Sequence, residues 1–464
     1  MAGRSSACDA ISQAELGAVS NYRNVFGDSE STVYLGQAPG RIEILGNHTD
    51  YNDGFVLSAG VQMQCRVVGE FLADPGQVSK RGLKPDRLRI YSASFPETGI
   101  AECSLSSALE STASSFSSLN LPSYCVYICG VLVNFMPQGS EIWKNNMAVL
   151  VCNSAALRDL KDSVLQLYIE SEVPLGAAVS SSAALEVATA TFLQQIFPSV
   201  KAMAPLDVIL SCKRAENEYV GMGCGILDQF SSHQAVKDSL LLLDCRYPME
   251  KLKKVAAAGR LSFVLGNTGV KHALVDGQYD TLKRLCYEAR DDMIAARNME
   301  SGIHDYNVNA IPVHLRDFSS KDFEELKGSI RSDDARRRGQ HVIEENERVL
   351  VATKLLLDAS KGDDIGFLQE FGALMCASHA SSKNLFGNSC PELDQMVDFA
   401  KECPGHLGAR LMGGGFGGCT ITLVKPGSEA EFSQALADKW KEKYGREPAI
   451  CCVKPGSGAK GMTF

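Results

Sequence analysis

Residues 174–184, with the sequence PLGAAVSSSAA, combine small side chains with three consecutive serines. Alternating apolar residues predict a strand over 164–170, and apolar residues at helical spacing predict a helix over 185–197. A tight loop that opens into a helix directs unpaired backbone N–H groups and the positive end of the helix dipole at one point, which suits a phosphate group. The serine hydroxyls can donate to phosphate oxygens or ligate magnesium. A helix start with small residues for packing and serines for capping stays equally open on local chemistry.

A second polar cluster lies in residues 38–54, with the sequence APGRIEILGNHTDYNDG. Glycines bracket Arg41, Asn47, His48 and Asp50, which is turn chemistry that carries hydrogen-bonding groups. A carboxylate accepts from two vicinal hydroxyls, while imidazole and carboxamide each donate and accept. His48 alone would be interpreted as a structural histidine. The cluster as a whole favours a polyhydroxylated ligand.

Two further carboxylates have positions that could serve chemistry. A helix predicted over 205–220 begins at a proline, ends before Gly221 and carries Glu216 near its C-terminus. The turn that follows, GMGCGILDQFSS over 221–232, contains Asp228 as its one carboxylate. Such an acid is either a helix cap or a functional group. A carboxyl group in a setting of low polarity is suited to proton transfer.

Composition limits the classes of function. The 464 residues are enough for two domains, and 45 % apolar with 22 % charged residues is ordinary for a globular protein. A net charge of -9 argues against a nucleic-acid partner. The 16 cysteines are scattered with no Cys-x-x-Cys pair and no apolar leader, which predicts reduced thiols in a cytoplasmic protein. The longest apolar stretch, 124–136, is too short to span a membrane.

The glycine cluster GGGFGG at 413–418 matches Gly-x-Gly-x-x-Gly in the wrong context. A dinucleotide fingerprint follows a strand and opens a helix, whereas this cluster runs into a strand predicted over 420–424. The phosphate-loop motif with Gly-Lys-Ser/Thr and the protein-kinase signatures are absent from the sequence. Dinucleotide enzymes, NTPases with that loop and protein kinases are therefore disfavoured.

The remaining patterns predict a mixed α and β chain with a domain boundary after residue 250, giving domains 1–250 and 251–464. Helices are predicted within the first 30 residues and over 279–297, 341–356 and 391–402, and strands over 62–71, 87–95, 240–244 and 261–265. Residues 104–118, rich in serine, and 138–163 are predicted as loop-rich surface insertions. Residues 124–135 are predicted to be buried, with no assignment to helix or strand.

Taken in order, three motifs resemble those of the galactokinases, within the superfamily of galactose, homoserine, mevalonate and phosphomevalonate kinases. They are residues 38–51, 174–184 and 413–419, and secondary matches at 224–230, 270–274 and 389–394 extend the resemblance over nearly the whole chain. The resemblance implies a two-domain α/β fold of the α+β type with the active site in the cleft between domains. It also implies transfer of the ATP γ-phosphoryl group to the anomeric hydroxyl of galactose.

The resemblance implies a role for each matching residue. Asp228 would lie close to the sugar C1 hydroxyl with Arg41 beside it, and Ser182 and Glu216 would hold Mg²⁺. The sugar contacts would be His48, Asp50, Gly225, Tyr279 and Asn47, which stands where the family has glutamate. The ATP contacts would be Pro174, Gly176, Ala177, Ala178, Val179, Ser180, Ser181, Ser182 and Ala183.

Departures from the family pattern keep alternatives open. Ala178-Val179 replaces Gly-Leu, which concerns the fit of the loop, while Asn47 removes a charge expected near the sugar C6 and predicts tolerance for changes there. A kinase for N-acetylgalactosamine, galacturonic acid or arabinose is one alternative. A catalytically inactive galactose sensor is the other, and the intact serines 180–182 argue against it. The expected partners are a small sugar and ATP only, bound by a monomer.

Overall fold

The computed structural model describes residues 11–136, 160–256, 260–271, 277–301, 313–358 and 364–464. The strands in these ranges are β1 Tyr34–Leu45, β2 Phe55–Leu72, β3 Arg87–Ser92, β4 Ala101–Cys103, β5 Val164–Ser171, β6 Ser239–Asp244, β7 Lys253–Ala256, β8 Ser262–Lys271, β9 His406–Leu411, β10 Gly417–Val424, β11 Ala449–Val453 and β12 Lys460–Thr463. The α-helices are α1 Gln13–Phe26, α2 Pro75–Lys80, α3 Leu105–Glu110, α4 Cys125–Phe135, α5 Ser181–Ile196, α6 Pro198–Lys201, α7 Pro205–Arg214, α8 Leu227–Gln234, α9 Gln278–Ser301, α10 Ser320–Leu326, α11 Asp333–Asp358, α12 Asp364–Ser381, α13 Pro391–Lys401 and α14 Glu429–Tyr444.

The first sheet is built around the long strand β2. One part of β2 pairs with β5 and its first residues pair with β6, while β1 runs antiparallel beside it. The strand order is β12-β1-β2-β5-β3-β4, with β7 attached through β6. Only the β3–β5 pair is parallel among these strand pairs, so the sheet is mixed. The pairing of β12 with β1 brings the last described strand into the sheet that the first strands form.

The second sheet has the order β11-β8-β10-β9 and is antiparallel. Helices α13 and α14 cover it through a cluster of buried residues that includes Val264, Met396 and the fully buried Trp440. Each sheet thus buries apolar side chains against helices, as a layered α and β fold requires.

Helix α5 lies unusually close to β1 and thereby fixes the loop that precedes it. A Cβ atom built on Gly36 would come within 2.2 Å of the Phe192 nitrogen and 2.3 Å of the Ala188 oxygen, so glycine is required there. The helix contributes the fully buried residues Ala183, Ala184, Ala188 and Ala190. Short side chains on both elements allow this approach. Nearer the helix start, a Cβ atom built on Gly40 would lie 2.7 Å from the Val179 oxygen, which accepts from Arg41 N at 2.9 Å.

Most elements predicted from periodicity are confirmed, including the strand, loop and helix around residues 174–184. The predicted loop-rich surface insertion over 104–118 is wrong for residues 105–110, where Leu105, Ala108 and Leu109 form a buried face of α3 with Ser104 as its N-cap, and is confirmed for the exposed turns of 112–118. The unassigned stretch 124–135 is the buried helix α4. Most of the predicted insertion 138–163 lies outside the described residues.

The boundary after residue 250 separates the two sheets except at two strands, since β7 and β12 belong to the first sheet. Within the described ranges the cysteines are free thiols. No helix in those ranges combines the length and the hydropathy needed to cross a membrane.

Candidate active site

A cavity of about 660 Å³ opens where several separate parts of the chain meet. Its walls come from the end of β1 with the turn after it, the loop before α5, residues 216–228, and the starts of α9 and the 413–418 turn. Among the lining residues predicted from the sequence are Arg41, Asn47, His48, Asp50, Gly176, Ala178, Val179, Ser180, Ser181, Ser182, Glu216, Gly225, Asp228 and Tyr279. Pro174, Ala177 and Ala183, also predicted, belong to the same loop and helix start but are not among the lining residues.

Asp228 and Arg41 form the centre of the site. Arg41 Nε donates to Asp228 Oδ1 at 2.8 Å, and its Nη1 donates to the Ala178 carbonyl oxygen at 2.5 Å. Burial lowers the pKa of the guanidinium, but the charges of Asp228 and then Glu43 outweigh burial and raise it. Arg41 is therefore a fixed cation that joins the loop to the carboxylate of Asp228.

The loop before α5 is held in a conformation that leaves the helix start open. Ala178 and Ser180 both have a φ of 53°, a left-handed conformation that costs free energy in non-glycine residues. The Ser180 hydroxyl donates to Asp228 Oδ2 and makes no capping hydrogen bond to α5. The serine is therefore not a helix cap, which favours the anion-binding interpretation of this loop over the packing interpretation.

Glu216 lies on the turn of π-helix Ala215–Val220, which continues α7. The Ser182 hydroxyl donates to Glu216 Oε1 at 2.9 Å, and Gln229 Nε2 donates to Oε2 at 2.5 Å. Burial raises the pKa of Glu216, and the negative charge of Asp228 raises it further. A cation beside these oxygens would offset both effects, so the donor set fits a hard divalent ion such as Mg²⁺.

The cavity also contains three groups that can form hydrogen bonds with hydroxyl groups: Asp50, the backbone of Gly225, and Tyr279. Asp50 packs so closely against Gly225 that a Cβ on this glycine would come 1.7 Å from Asp50 Oδ2. Burial, then the charges of Asp228 and Glu43, raises the pKa of Asp50 to about 6. Burial also raises the pKa of Tyr279, so its hydroxyl stays protonated.

The structure gives His48 and Asn47 different surroundings from those the sequence predicts. His48 Nδ1 accepts from the Tyr51 hydroxyl at 2.9 Å, and Nε2 donates to the Gly414 oxygen at 3.2 Å. Burial lowers the pKa of His48 to about 3, so it is neutral. Both ring nitrogens are thus used within the protein, and neither is left to contact a sugar.

The Asn47 amide is likewise saturated by protein groups. Its nitrogen donates to Glu43 Oε1 at 3.0 Å and to the Gly413 oxygen at 2.8 Å. Its oxygen accepts from Asn388 Nδ2 at 2.9 Å and from the Ser382 hydroxyl at 3.3 Å. A carboxamide has two donor and two acceptor positions, so the predicted contact with a sugar would have to replace one of these bonds.

Sequence reasoning missed Glu43 and the carbonyls of Gly413 and Gly414. Glu43 interrupts an apolar run in β1 as an acid between two isoleucines, which was the available signal. The 413–418 cluster is confirmed as a turn into β10 with no helix after it. Its carbonyl groups hold Asn47 and His48, which no local pattern indicates.

Comparison with known proteins decides the family. The galactokinase galactose-binding signature matches residues 20–70, the N-terminal domain of the GHMP kinases matches residues 146–234, and their C-terminal region matches residues 356–442. The chain is 32 % identical to the galactokinase of Homo sapiens over 427 residues, which cover 91 % of each chain. It is 30 % identical to that of Clostridium acetobutylicum over 95 % of this chain and 97 % of the relative. The chain belongs to the galactokinase family.

Solved structures agree with this family and with its fold. The galactokinase of Lactococcus lactis, solved in complex with galactose, matches with a TM-score of 0.74 and 26 % identity over 96 % of this chain and 99 % of that one. The mevalonate kinase of Methanococcus jannaschii shares the fold at a TM-score of 0.54 and 14 % identity. The predicted two-domain α/β fold of this kinase superfamily is confirmed.

Proposed function

We propose that this galactokinase-family chain transfers the γ-phosphoryl group of ATP to the anomeric C1 hydroxyl of galactose, giving galactose 1-phosphate and ADP. The observation that carries the proposal is the contact of Asp228 with both Arg41 and Ser180. These bonds hold one carboxylate between the loop before α5 and the wall that carries Asp50 and Tyr279. A phosphate donor on the loop and a sugar on that wall would meet at Asp228.

The residues of the chain then divide the work of phosphoryl transfer, which depends on positioning and neutralisation of charge. Asp228 orients the C1 hydroxyl and accepts its proton as the oxygen bonds to phosphorus, and Arg41 faces the transferring group as a permanent cation. Gly176 and residues 177–183 bind the ATP phosphates through backbone N–H groups at the start of α5, and Pro174, which has no N–H, contacts ATP without donating a backbone hydrogen bond. Asp50, Tyr279 and the backbone of Gly225 hold the sugar hydroxyls.

Magnesium, when bound with ATP, neutralises phosphate charge and orients the phosphates. Ser182 and Glu216 would hold it, because both offer oxygen atoms beside the loop and already lie in contact with each other. Gln229 keeps Glu216 oriented towards Ser182 through the bond to Oε2.

The inactive sensor remains the less favoured alternative, because the serines of the loop reach Asp228 and Glu216 as an active kinase needs. Reduced thiols fit the expected cytoplasmic location, since the cysteines described in the structure are unpaired. We also retain the prediction of a monomer that binds sugar and ATP without nucleic acid or membrane.

The test is a phosphorylation assay with ATP, Mg²⁺ and four sugars: galactose, N-acetylgalactosamine, galacturonic acid and arabinose. We expect the largest kcat/KM for galactose. A larger value for any of the other three would replace galactose as the substrate, and ATP turnover with none of them would support the sensor.

A further inference from the structure

We propose that Glu43 determines which sugar the site accepts, because its free carboxylate oxygen receives a hydrogen bond from one hydroxyl of galactose and its charge repels acidic sugars. The inference rests on the proposed function, since it takes galactose as the substrate. It transfers to Glu43 the role that the family resemblance implies for position 47.

The two oxygens of Glu43 have different surroundings. Oε1 accepts from Asn47 Nδ2 at 3.0 Å and from Arg410 Nη2 at 2.9 Å. Among the described residues no hydrogen bond is formed by Oε2, although the side chain is buried with a residue exposure of 3 % and lines the cavity. Because the side chain lines the cavity, Oε2 can accept a hydrogen bond from a sugar hydroxyl bound there.

Glu43 is held rigidly, which specificity requires. Arg410, at 0 % exposure, binds the carboxylate and also donates from Nη1 to the backbone oxygens of Glu43 at 3.3 Å and Ile44 at 3.1 Å. The guanidinium thus fixes the carboxylate to β1 and to β9 at once. A site group that is locked by its neighbours discriminates between ligands because it cannot move to suit the wrong one.

The charge of Glu43 reaches the groups that would surround the sugar. It contributes to the raised pKa values of Arg41, Asp50 and Tyr279, each behind larger effects of burial or of other charges. Asn47 offers no free hydrogen-bonding position, whereas Oε2 of Glu43 beside it can accept from a sugar hydroxyl.

A consequence follows for acidic substrates. Glu43 is one of five carboxyl side chains that line the cavity, with Asp50, Glu216, Asp228 and Asp280, so a galacturonate carboxylate would meet like charges. The sequence predicts tolerance for changes at C6 because Asn47 lacks a charge. The present inference predicts the opposite, since a carboxylate that is bonded to Asn47 lines the same cavity.

The test compares the parent with Glu43→Gln on galactose and on its 2-deoxy, 3-deoxy, 4-deoxy and 6-deoxy analogues, plus galacturonate. The substitution exchanges a charge-assisted hydrogen bond for a neutral one. We expect the kcat/KM preference for galactose over one deoxy analogue to fall about tenfold, with the other three preferences unchanged. The value for galacturonate relative to galactose should rise.

Glu70→Gln is the matched control, because it makes the same chemical change in a fully buried carboxylate that an arginine, Arg81, binds and that does not line the cavity. It should lower stability and leave every preference as in the parent. If Glu43→Gln does not fold, Glu43→Asp serves instead. The shorter side chain keeps the charge near Arg410 but moves the second carboxylate oxygen away from the cavity, so the same single preference should fall.

Preferences that stay within twofold of the parent in the Glu43 variants would overturn the inference, as would an equal fall in all four. Either result is distinct from a failure of the proposed function, in which the parent itself would not phosphorylate galactose.

Discussion

Asp50 is a carboxylate that changes charge within the working pH range, because burial and the charges of Asp228 and Glu43 raise its pKa to about 6. Only the ionised form accepts fully from two sugar hydroxyls. We therefore expect kcat/KM for galactose to fall as the pH is lowered through 6. Profiles of kcat/KM against pH for the parent and Asp50→Asn test this, since the variant should show a low value without that limb. An unchanged limb in Asp50→Asn would assign the titration to another group.

The same shift has a consequence for stability. The pKa of Asp50 in the folded state lies above its unfolded value of about 3.8, so the carboxyl group is protonated to a larger extent in the folded state. Its contribution to stability is therefore present at low pH. That contribution is lost as the pH rises from about 4 to about 6. The difference in free energy of unfolding between the parent and Asp50→Asn, measured with denaturant across this interval, should therefore move against the parent.

Ser182 and Glu216 carry the expected magnesium site. Ser182→Ala and Glu216→Ala should each raise the Mg²⁺ concentration for half-maximal rate, because each removes an oxygen from the pair. Titrations of Mg²⁺ at saturating galactose measure this, and the KM for galactose in the same variants serves as the control. Magnesium curves that coincide with the parent in both variants would move the metal elsewhere.

At the scale of elements, the turn before α8 places Gly225 in close contact with the Asp50 carboxylate. Gly225→Ala would place a Cβ 1.7 Å from Asp50 Oδ2 and displace that carboxylate, whereas Gly223→Ala meets only Asp280 Oδ1 at 3.5 Å. We expect Gly225→Ala to raise the KM for galactose about tenfold or more, as for a lost charge-assisted hydrogen bond. Gly223→Ala should change it little. Equal effects of the two alanines would mean that the contact with Asp50 is not what matters.

The sequence predicts an element well when neighbouring residues determine it. The strand, loop and helix around Ser180 follow from periodicity and small residues, and the structure has them. The helix α3 does not, because the density of serine hides the apolar spacing of Leu105, Ala108 and Leu109.

Hydrogen-bond partners far along the chain are the part of the site that no local pattern carries. Asn47 is saturated by Asn388 and Gly413, more than 300 residues away, so its availability to a ligand could not be judged from the sequence. The same holds for Glu43, whose partner Arg410 comes from the second sheet. The sequence predicts which residue types lie at the site, but it does not predict which partner each side chain binds.

For the whole molecule, Arg316 connects the second half of the chain to the first sheet. It binds both oxygens of Asp244, donates to the Asp53 carbonyl oxygen at 2.6 Å and lies 3.8 Å from the centre of the Phe55 ring. The exposed fractions of the two side chains in this ion pair are 8 % and 3 %. Arg316→Met should lower the free energy of unfolding by about 3 kcal/mol, the lower end for a broken buried pair, because Lys251 remains as an ion-pair partner 4.0 Å from Asp244 Oδ2.

The neighbouring pair of Arg246 and Asp317 is the control for that prediction. Its side chains are 24 % and 25 % exposed, so Arg246→Met should cost about 1 kcal/mol or less. Denaturant unfolding of the parent and both variants gives the comparison. Equal losses in the two variants would contradict a special role for the buried connection.

The most direct test of the proposed function concerns Asp228, which lies between the loop before α5 and the cavity wall that carries Asp50 and Tyr279. The parent should convert galactose and ATP to galactose 1-phosphate, identified by phosphorus NMR. Asp228→Asn should bind galactose within a few-fold of the parent in calorimetry, while its kcat falls by about 10²–10⁴-fold. A kcat within a few-fold of the parent, or a product phosphorylated at a position other than C1, would contradict it.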